Sequence, residues 1–347
     1  MQYRPLGRTG LQVSAIGLGT MTWGRQNTEA EGHAQMDLAL DHGVNFWDTA
    51  EMYAIPPIAE SYGTTETIIG SWFKSRGGRD RVTLASKAIG AAHGGFPWVR
   101  GGNAKLDRAN LTAAVDASLT RLQTDVIDLY QLHWPDRVTN RFGARSYVHR
   151  PDHDGTSLAE TLAVLGDLIQ AGKIRHIGLS NESPWGVMTC LKLAETQGLP
   201  RIASVQNAYN LLNRTDEGGL SEVLLREDVW LLAYSPLGAG TLAGKYLGGA
   251  VPPGTRRAID HRKSRYATPN ADAATQAYLD VARRHGLSPT QMAIAFVLRQ
   301  DFVASALIGA TTMEDLTSNI GALDVSLSDE VMQEIEAVHA RFPDPCP

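Results

Sequence analysis

The feature that most constrains this chain is a series of eight apolar runs, each closing on polar residues and separated by segments of helical periodicity. The runs are Val13–Gly19, Val44–Asp48, Val82–Lys87, Val126–His133, Ile174–Asn181, Ile202–Asn207, Val229–Ser235 and Ala304–Gly309. Short apolar runs bounded by turn formers read as buried strands. Between them, Thr28 with Glu31 forms a capping box for a helix stopped by Gly43. Leu111, Val115, Leu119 and Leu122 make one apolar stripe, and Ser157 with Glu160 caps a second, Leu158, Leu162, Leu165 and Ile169, ending at Gly172. Ser183-Pro184 opens a helix that Gly198 closes, Pro289–Arg299 reads likewise, and Ser328–Arg341 carries Val331, Ile335 and Val338.

Alternating strands and helices imply parallel strands joined by right-handed crossovers. Eight such units over more than about 250 residues predict a closed (β/α)₈ TIM barrel, one α/β domain spanning residues 1–347, in preference to an open doubly wound sheet. An extra helix at the C-terminal end should pack on the barrel exterior. Three stretches, Ala88–Asp107, Trp134–Thr156 and Thr241–Asn270, are too long for simple connections and read as active-site loops.

Composition narrows the partners. A net charge of −5 gives no electrostatic reason to expect nucleic acid or an anionic membrane. Two cysteines, Cys190 and Cys346, make no disulfide framework and no metal-ligand spacing, which fits a reducing, cytoplasmic setting and no metal. The first residues lack a signal-peptide pattern, and no apolar run reaches the length of a membrane span. The expected partner is a small molecule; no coiled-coil heptads point to an oligomeric state.

In such barrels the strand ends lead into the loops that build the active site. Here they end in a carboxylate (Asp48), an amine (Lys87), an imidazole (His133), Ser180-Asn181 and Gln206-Asn207, and Tyr53 follows Asp48 by five residues. A tyrosine of reference pKa near 10 donates a proton poorly at neutral pH unless a cation stabilises its phenolate. Lys87 is the candidate cation, Asp48 would orient it, and His133 would donate a hydrogen bond to a substrate carbonyl oxygen.

The order Asp48…Tyr53…Lys87…His133 resembles the aldo-keto reductase family, a (β/α)₈ fold using NADPH, over nearly the whole chain. Gly17-Leu-Gly-Thr-Met21, Ala50-Glu-Met-Tyr53, Gly178-Leu-Ser-Asn181 and Tyr234-Ser-Pro-Leu-Gly238 are similar to its bacterial Tas-type NADP(H)-dependent members. The resemblance implies reduction of aldehydes or ketones to alcohols by hydride transfer, with Tyr53 as general acid, Lys87 and Asp48 tuning it, and His133 orienting the carbonyl. It implies that Ser180, Asn181 and Gln206 hold the nicotinamide carboxamide, with Tyr234 stacked on the ring. Gly19 and Thr20 would lie at a strand end under the cofactor. Ser235, Leu237, Gly240 and Lys245 would line the pyrophosphate, and Gly309, Thr311, Asp315 and Asn319 the adenosine ribose. Preference for NADPH should rest on a cation at the 2′-phosphate, with Arg256 and Arg257 the candidates and Arg262, Lys263 and Arg265 in the same loop. The segment Ala54–Tyr62 is longer than the usual family loop and bears on pocket shape.

Other motifs have blander readings. Gly17–Thr22 lacks the third glycine of a dinucleotide fingerprint, and Gly240–Lys245 lacks the first glycine and the hydroxyl of a P-loop. His149–Asp154 contains two histidines and two aspartates, but Pro151 interrupts helical ligand spacing. Lys87 could form a Schiff base in an aldolase, although Asp48 should keep it protonated. The family also resembles in fold the β-subunits of voltage-gated potassium channels, which makes a cofactor-binding regulatory or partner-binding barrel the alternative function.

Overall fold

In the computed structural model, which describes all residues except 93–94, 151–154, 261 and 263, the alternating runs form a closed barrel. A hairpin comes first, β1 (Tyr3–Pro5) pairing antiparallel with β2 (Gln12–Ser14). The barrel strands are β3 (Ile16–Gly19), β4 (Phe46–Asp48), β5 (Thr83–Ala88), β6 (Ile127–Leu132), β7 (Ile174–Ser180), β8 (Ile202–Ala208), β9 (Trp230–Tyr234) and β10 (Val303–Ile308). Each pairs in parallel with its sequence neighbour, and β10 closes onto β3. The expected (β/α)₈ barrel is what forms.

One run divides. Val13 belongs to the hairpin and only Ile16–Gly19 to the barrel wall. The Ser14 hydroxyl donates to Ile16 O at 2.6 Å and accepts from the Asn45 and Phe46 amides, so the chain turns at that point. Leu6 and Val13 plug the barrel floor against Phe46, Ala85, Leu129, Ala203, Leu232 and Ala304. Apolar periodicity reports burial, and a plug is buried as fully as a wall.

The helices are α1 (Glu29–Asp41), α2 (Thr64–Arg76), α3 (Arg108–Leu122), α4 (Leu158–Gln170), α5 (Pro184–Gln197), α6 (Leu220–Glu227), α7 (Arg256–Ile259), α8 (Ala271–Arg284), α9 (Pro289–Leu298), α10 (Met313–Ile320) and α11 (Asp329–Arg341). The Thr28–Glu31 capping box starts α1, and Ser157 and Ser183 cap α4 and α5. The outward strand residues Leu18, Trp47, Leu84, Leu132, Leu179, Val205 and Leu231 meet Leu111, Val115, Leu162, Leu165 and Ile335 in one core. Each such burial contributes roughly 1.5–3 kcal/mol against the entropy of ordering. Ala88–Asp107 and Trp134–Thr156 are pinned together by one side chain: Asp136 accepts from the amides of Ala91 (2.7 Å), Leu106 (3.0 Å) and Thr156 (3.3 Å). No helix among the described residues is long and apolar enough to cross a membrane.

Strand pleating sets the site. Phe46, Ala85 and Leu129 point into the lower barrel, so two residues later Asp48, Lys87 and Gln131 point into the layer above, at the C-terminal end. Gly178 pairs with Gln131 across the sheet. A Cβ there would lie 2.7 Å from Ser204 Oγ and 3.2 Å from Gln131 Cγ, so the glycine makes room for the polar layer.

Candidate active site

Four strands and one loop converge at the barrel mouth. Lys87 Nζ donates to Asp48 Oδ2 at 2.6 Å and to Thr49 O at 2.7 Å, and lies 3.4 Å from the Tyr53 hydroxyl. The ammonium also sits 4.9 Å from the Tyr53 ring centroid, within cation–π range. Tyr53 meets His133 edge to face at 5.7 Å. Lys87 is fully buried, and Asp48, Tyr53 and His133 are nearly so. All four candidate catalytic residues therefore form one cluster.

Its electrostatics are asymmetric. Burial alone would lower the Lys87 pKa, but Asp48 and Tyr53 together hold it above the ordinary lysine value, so the ammonium stays charged. Burial is also the largest influence on Tyr53 and raises its phenol, with Lys87 pulling the other way. The sequence reading foresaw that pull from Lys87 but not the larger effect of burial, which keeps Tyr53 protonated across the neutral range. His133 is driven well below the usual histidine value, by burial first and by Lys87 second. A neutral imidazole can donate one N–H, and its Nδ1 is buried without a hydrogen-bond partner among the described residues.

Two sets of contacts were not foreseen from sequence. Gln131 donates to Asp48 Oδ1 at 3.0 Å, and Gln206 to the same oxygen at 2.7 Å, so Asp48 accepts from Lys87 and two amides. Gln131 could have been found, because it precedes His133 by two residues and shares its face of β6. Below the Tyr53 loop, Glu51 is completely buried and accepts from Arg100 through both guanidinium amines (2.6 and 3.0 Å), from Tyr62 (2.9 Å) and from the Ile89 amide (2.8 Å). Nothing local in the sequence joins Glu51 to Arg100, 49 positions apart.

The residues expected around a cofactor fall into three groups. Ser180, Asn181, Gln206 and Tyr234 adjoin: the Ser180 hydroxyl donates to Gln206 O at 2.8 Å, Asn181 Nδ2 to His133 O at 2.8 Å, and the Tyr234 hydroxyl to Asn181 Oδ1 at 2.6 Å. In the second group, Ser235 (φ 55°), Gly238 (55°), Ala239 (53°) and Gly240 (87°) are left-handed in close succession. Such turns aim backbone N–H groups into a concavity that suits phosphate. A Cβ on Gly240 would lie 2.6 Å from Lys245 Cε, so the glycine lets the exposed lysine lie across this turn, in which Leu237 O accepts from the Gly240 amide at 3.0 Å. The third group follows β10: Thr311 O accepts from Asn27, Thr312 caps the Asp315 amide, and Asn319 Nδ2 approaches Gly309 O at 3.5 Å.

Gly19 ends β3 against Ile308 O, whereas Thr20 is fully buried and donates to Asp48 O at 2.8 Å, bracing the Asp48 backbone from the wall. Arg256 is paired with Asp260 (3.3 Å) and reaches Met21 Sδ at 3.7 Å. Arg257 instead turns away, to Tyr266 O at 2.8 Å and over the Tyr246 ring. Lys263 and the 151–154 part of the His149–Asp154 segment lie outside the described residues. Beside His133 the mouth is aromatic: Trp134 packs with Phe96 (5.9 Å), Phe142 (6.0 Å) and His133 (5.0 Å).

A parallel eight-stranded barrel that gathers its reactive side chains at the C-terminal mouth is a (β/α)₈-barrel enzyme in layout. The sequence profile of the Aldo/keto reductase family matches residues 15–340, and the chain belongs to that family of oxidoreductases. It is 51% identical over 347 residues, the full length of both chains, to "Protein tas" of Escherichia coli strain K12. It is 32% identical to "Uncharacterized oxidoreductase YrpG" of Bacillus subtilis strain 168, covering 99% of this chain and 97% of that one. Identity to "L-glyceraldehyde 3-phosphate reductase" of Escherichia coli strain K12 is 31%, covering 97% and 92%.

Proposed function

We infer that this chain is an NADPH-dependent reductase of aldehydes or ketones, with Tyr53 as general acid in a group with Asp48, Lys87 and His133. The observation that carries the reading is the position of Lys87 Nζ, 2.6 Å from Asp48 and 3.4 Å from the Tyr53 hydroxyl, beside a neutral histidine. His133 donates to the carbonyl oxygen and orients it. Tyr53 transfers its proton to that oxygen as negative charge develops there. The phenolate left behind is stabilised by Lys87, whose ammonium Asp48 holds in place while Gln131 and Gln206 hold Asp48.

The left-handed turn at Ser235–Gly240 beside Lys245 and the partly open Tyr234 face suit a dinucleotide. Ser180, Asn181, Gln206 and Tyr234 would hold its nicotinamide end; Ser235, Leu237, Gly240 and Lys245 its pyrophosphate; and Gly309, Thr311, Asp315, Asn319 and Arg256 its adenosine end with the 2′-phosphate. When bound, the reduced nicotinamide supplies hydride.

The test is a fluorescence titration with NADPH and with NADH, followed by NADPH oxidation in the presence of small aldehydes such as 4-nitrobenzaldehyde. Tighter binding of NADPH with turnover supports the reading. Binding without turnover favours a regulatory or partner-binding barrel, and no binding removes both.

A further inference from the structure

Beside the reaction centre a space extends outward past the proposed nicotinamide site. A cavity of about 710 Å³ opens between the loops after β6, β7 and β8. Its lining includes Asn181 and Tyr234, whose side chains are hydrogen bonded to each other, and Asn181 also bonds the His133 carbonyl. The cavity therefore reaches the edge of the catalytic cluster.

Its charge is unusual. Arg141 and Arg265 approach the same Phe142 ring, at 5.9 and 5.3 Å from its centroid, and Arg265 also packs on Tyr234 at 5.5 Å. Arg141 donates to Pro135 O (2.8 Å), Arg265 to the Tyr234 hydroxyl (2.9 Å), and Arg145, at the rim, to Pro345 O (3.2 Å). Every one of these acceptors is uncharged. Among the described residues none of the three guanidiniums has a carboxylate partner, whereas the neighbouring Arg137 is satisfied by Glu182. Asp216, also in the lining, is pushed up to about 7, mainly by burial, and so carries only part of a negative charge near neutral pH.

Three guanidiniums without an ion-pair partner thus line one cavity, and guanidinium forks match carboxylate and phosphate oxygens. We propose that this cavity is an anion subsite for the far end of the substrate, so that the enzyme prefers carbonyl compounds bearing a carboxylate or phosphate group over neutral ones. This rests on the carbonyl-reductase reading above.

Three aldehydes of like reactivity test it: 4-formylbenzoate, its neutral methyl ester, and 4-formylphenyl phosphate. The expected result is a KM at least about tenfold lower for one or both anions than for the ester. Arg141→Met and Arg145→Met should remove that preference while leaving the ester's kcat/KM unchanged. Which anion gains more distinguishes a carboxylate site from a phosphate site. A parallel readout needs no turnover: benzoate and inorganic phosphate are titrated against the protein, following the fluorescence of Trp185, which lines the cavity, with Trp185→Phe as control. Saturable quenching that the two arginine variants lose supports the site. Equal KM values for all three aldehydes, or no saturable quenching, overturn the anion subsite and leave the reductase reading intact. Saturable quenching with no aldehyde turned over overturns the reductase reading, and with it the assignment of this anion site to a substrate.

Discussion

Oδ1 of Asp48 accepts a hydrogen bond from the side-chain amide of Gln206 at 2.7 Å, across 158 positions of sequence. The same carboxylate holds Lys87 through Oδ2. Gln206 is also among the residues expected to hold the nicotinamide carboxamide, so it links the proposed cofactor site to the proposed proton-donating group.

Replacing Gln206 with Leu should therefore harm both functions. A hydrogen bond to a charged group is worth about 1.5–3 kcal/mol. Steady-state kinetics with NADPH varied should show a higher KM for the cofactor and a kcat reduced about tenfold or more. A change in KM alone would show that the link to Asp48 is not used.

Tyr53→Phe removes the proposed proton donor and nothing that the folded state needs for cohesion, since among the described residues the hydroxyl's one close polar neighbour is Lys87. Cofactor binding should survive in a fluorescence titration, while kcat falls roughly a hundred- to ten-thousand-fold. Retained turnover would move the acid role to another group.

The pH profile follows from the shifts in the cluster. Tyr53 is raised above its ordinary value and stays protonated through and beyond neutrality, and His133 is lowered and stays neutral. The kcat for reduction should be flat from about pH 6.5 to about pH 10, the ordinary values of these two groups. A bell centred inside that window would show that one of them titrates there.

Asp216 gives a pH dependence of stability. Its folded value of about 7 lies above the ordinary aspartate value of about 3.9, so between the two the folded state binds the extra proton. The contribution is fully present below about pH 4 and is lost as pH rises through 7. Urea midpoints should fall across that window, and Asp216→Asn should flatten the fall.

Glu51 is completely buried and Arg100 largely so. Glu51→Gln leaves the guanidinium without its charge partner, and breaking such a pair costs about 3–5 kcal/mol. The urea midpoint should drop accordingly, and the double replacement of Glu51 and Arg100 by Met should cost less than the sum of the single changes. Additive losses would mean that the two side chains do not act as a pair.

The barrel was legible in the sequence because its signals are local. A buried parallel strand must be an apolar run, a helix packed on it must repeat every three to four residues, and Thr28, Ser157 and Ser183 mark helix starts by bonding amides within one turn. Asp48, Lys87 and His133 were legible for a related reason: each closes such a run, and strand ends of a closed barrel meet at one mouth. Tertiary structure alone decided that Val13 plugs the floor instead of lining the wall, that Gln131 and Gln206 share one oxygen of Asp48, and that Glu51 finds Arg100. It also decided that burial outweighs Lys87 in setting the Tyr53 phenol, and that Arg141 and Arg265 each approach the Phe142 ring. These depend on the distance and solvent access between residues far apart in the chain, and a pattern of residue types carries neither quantity.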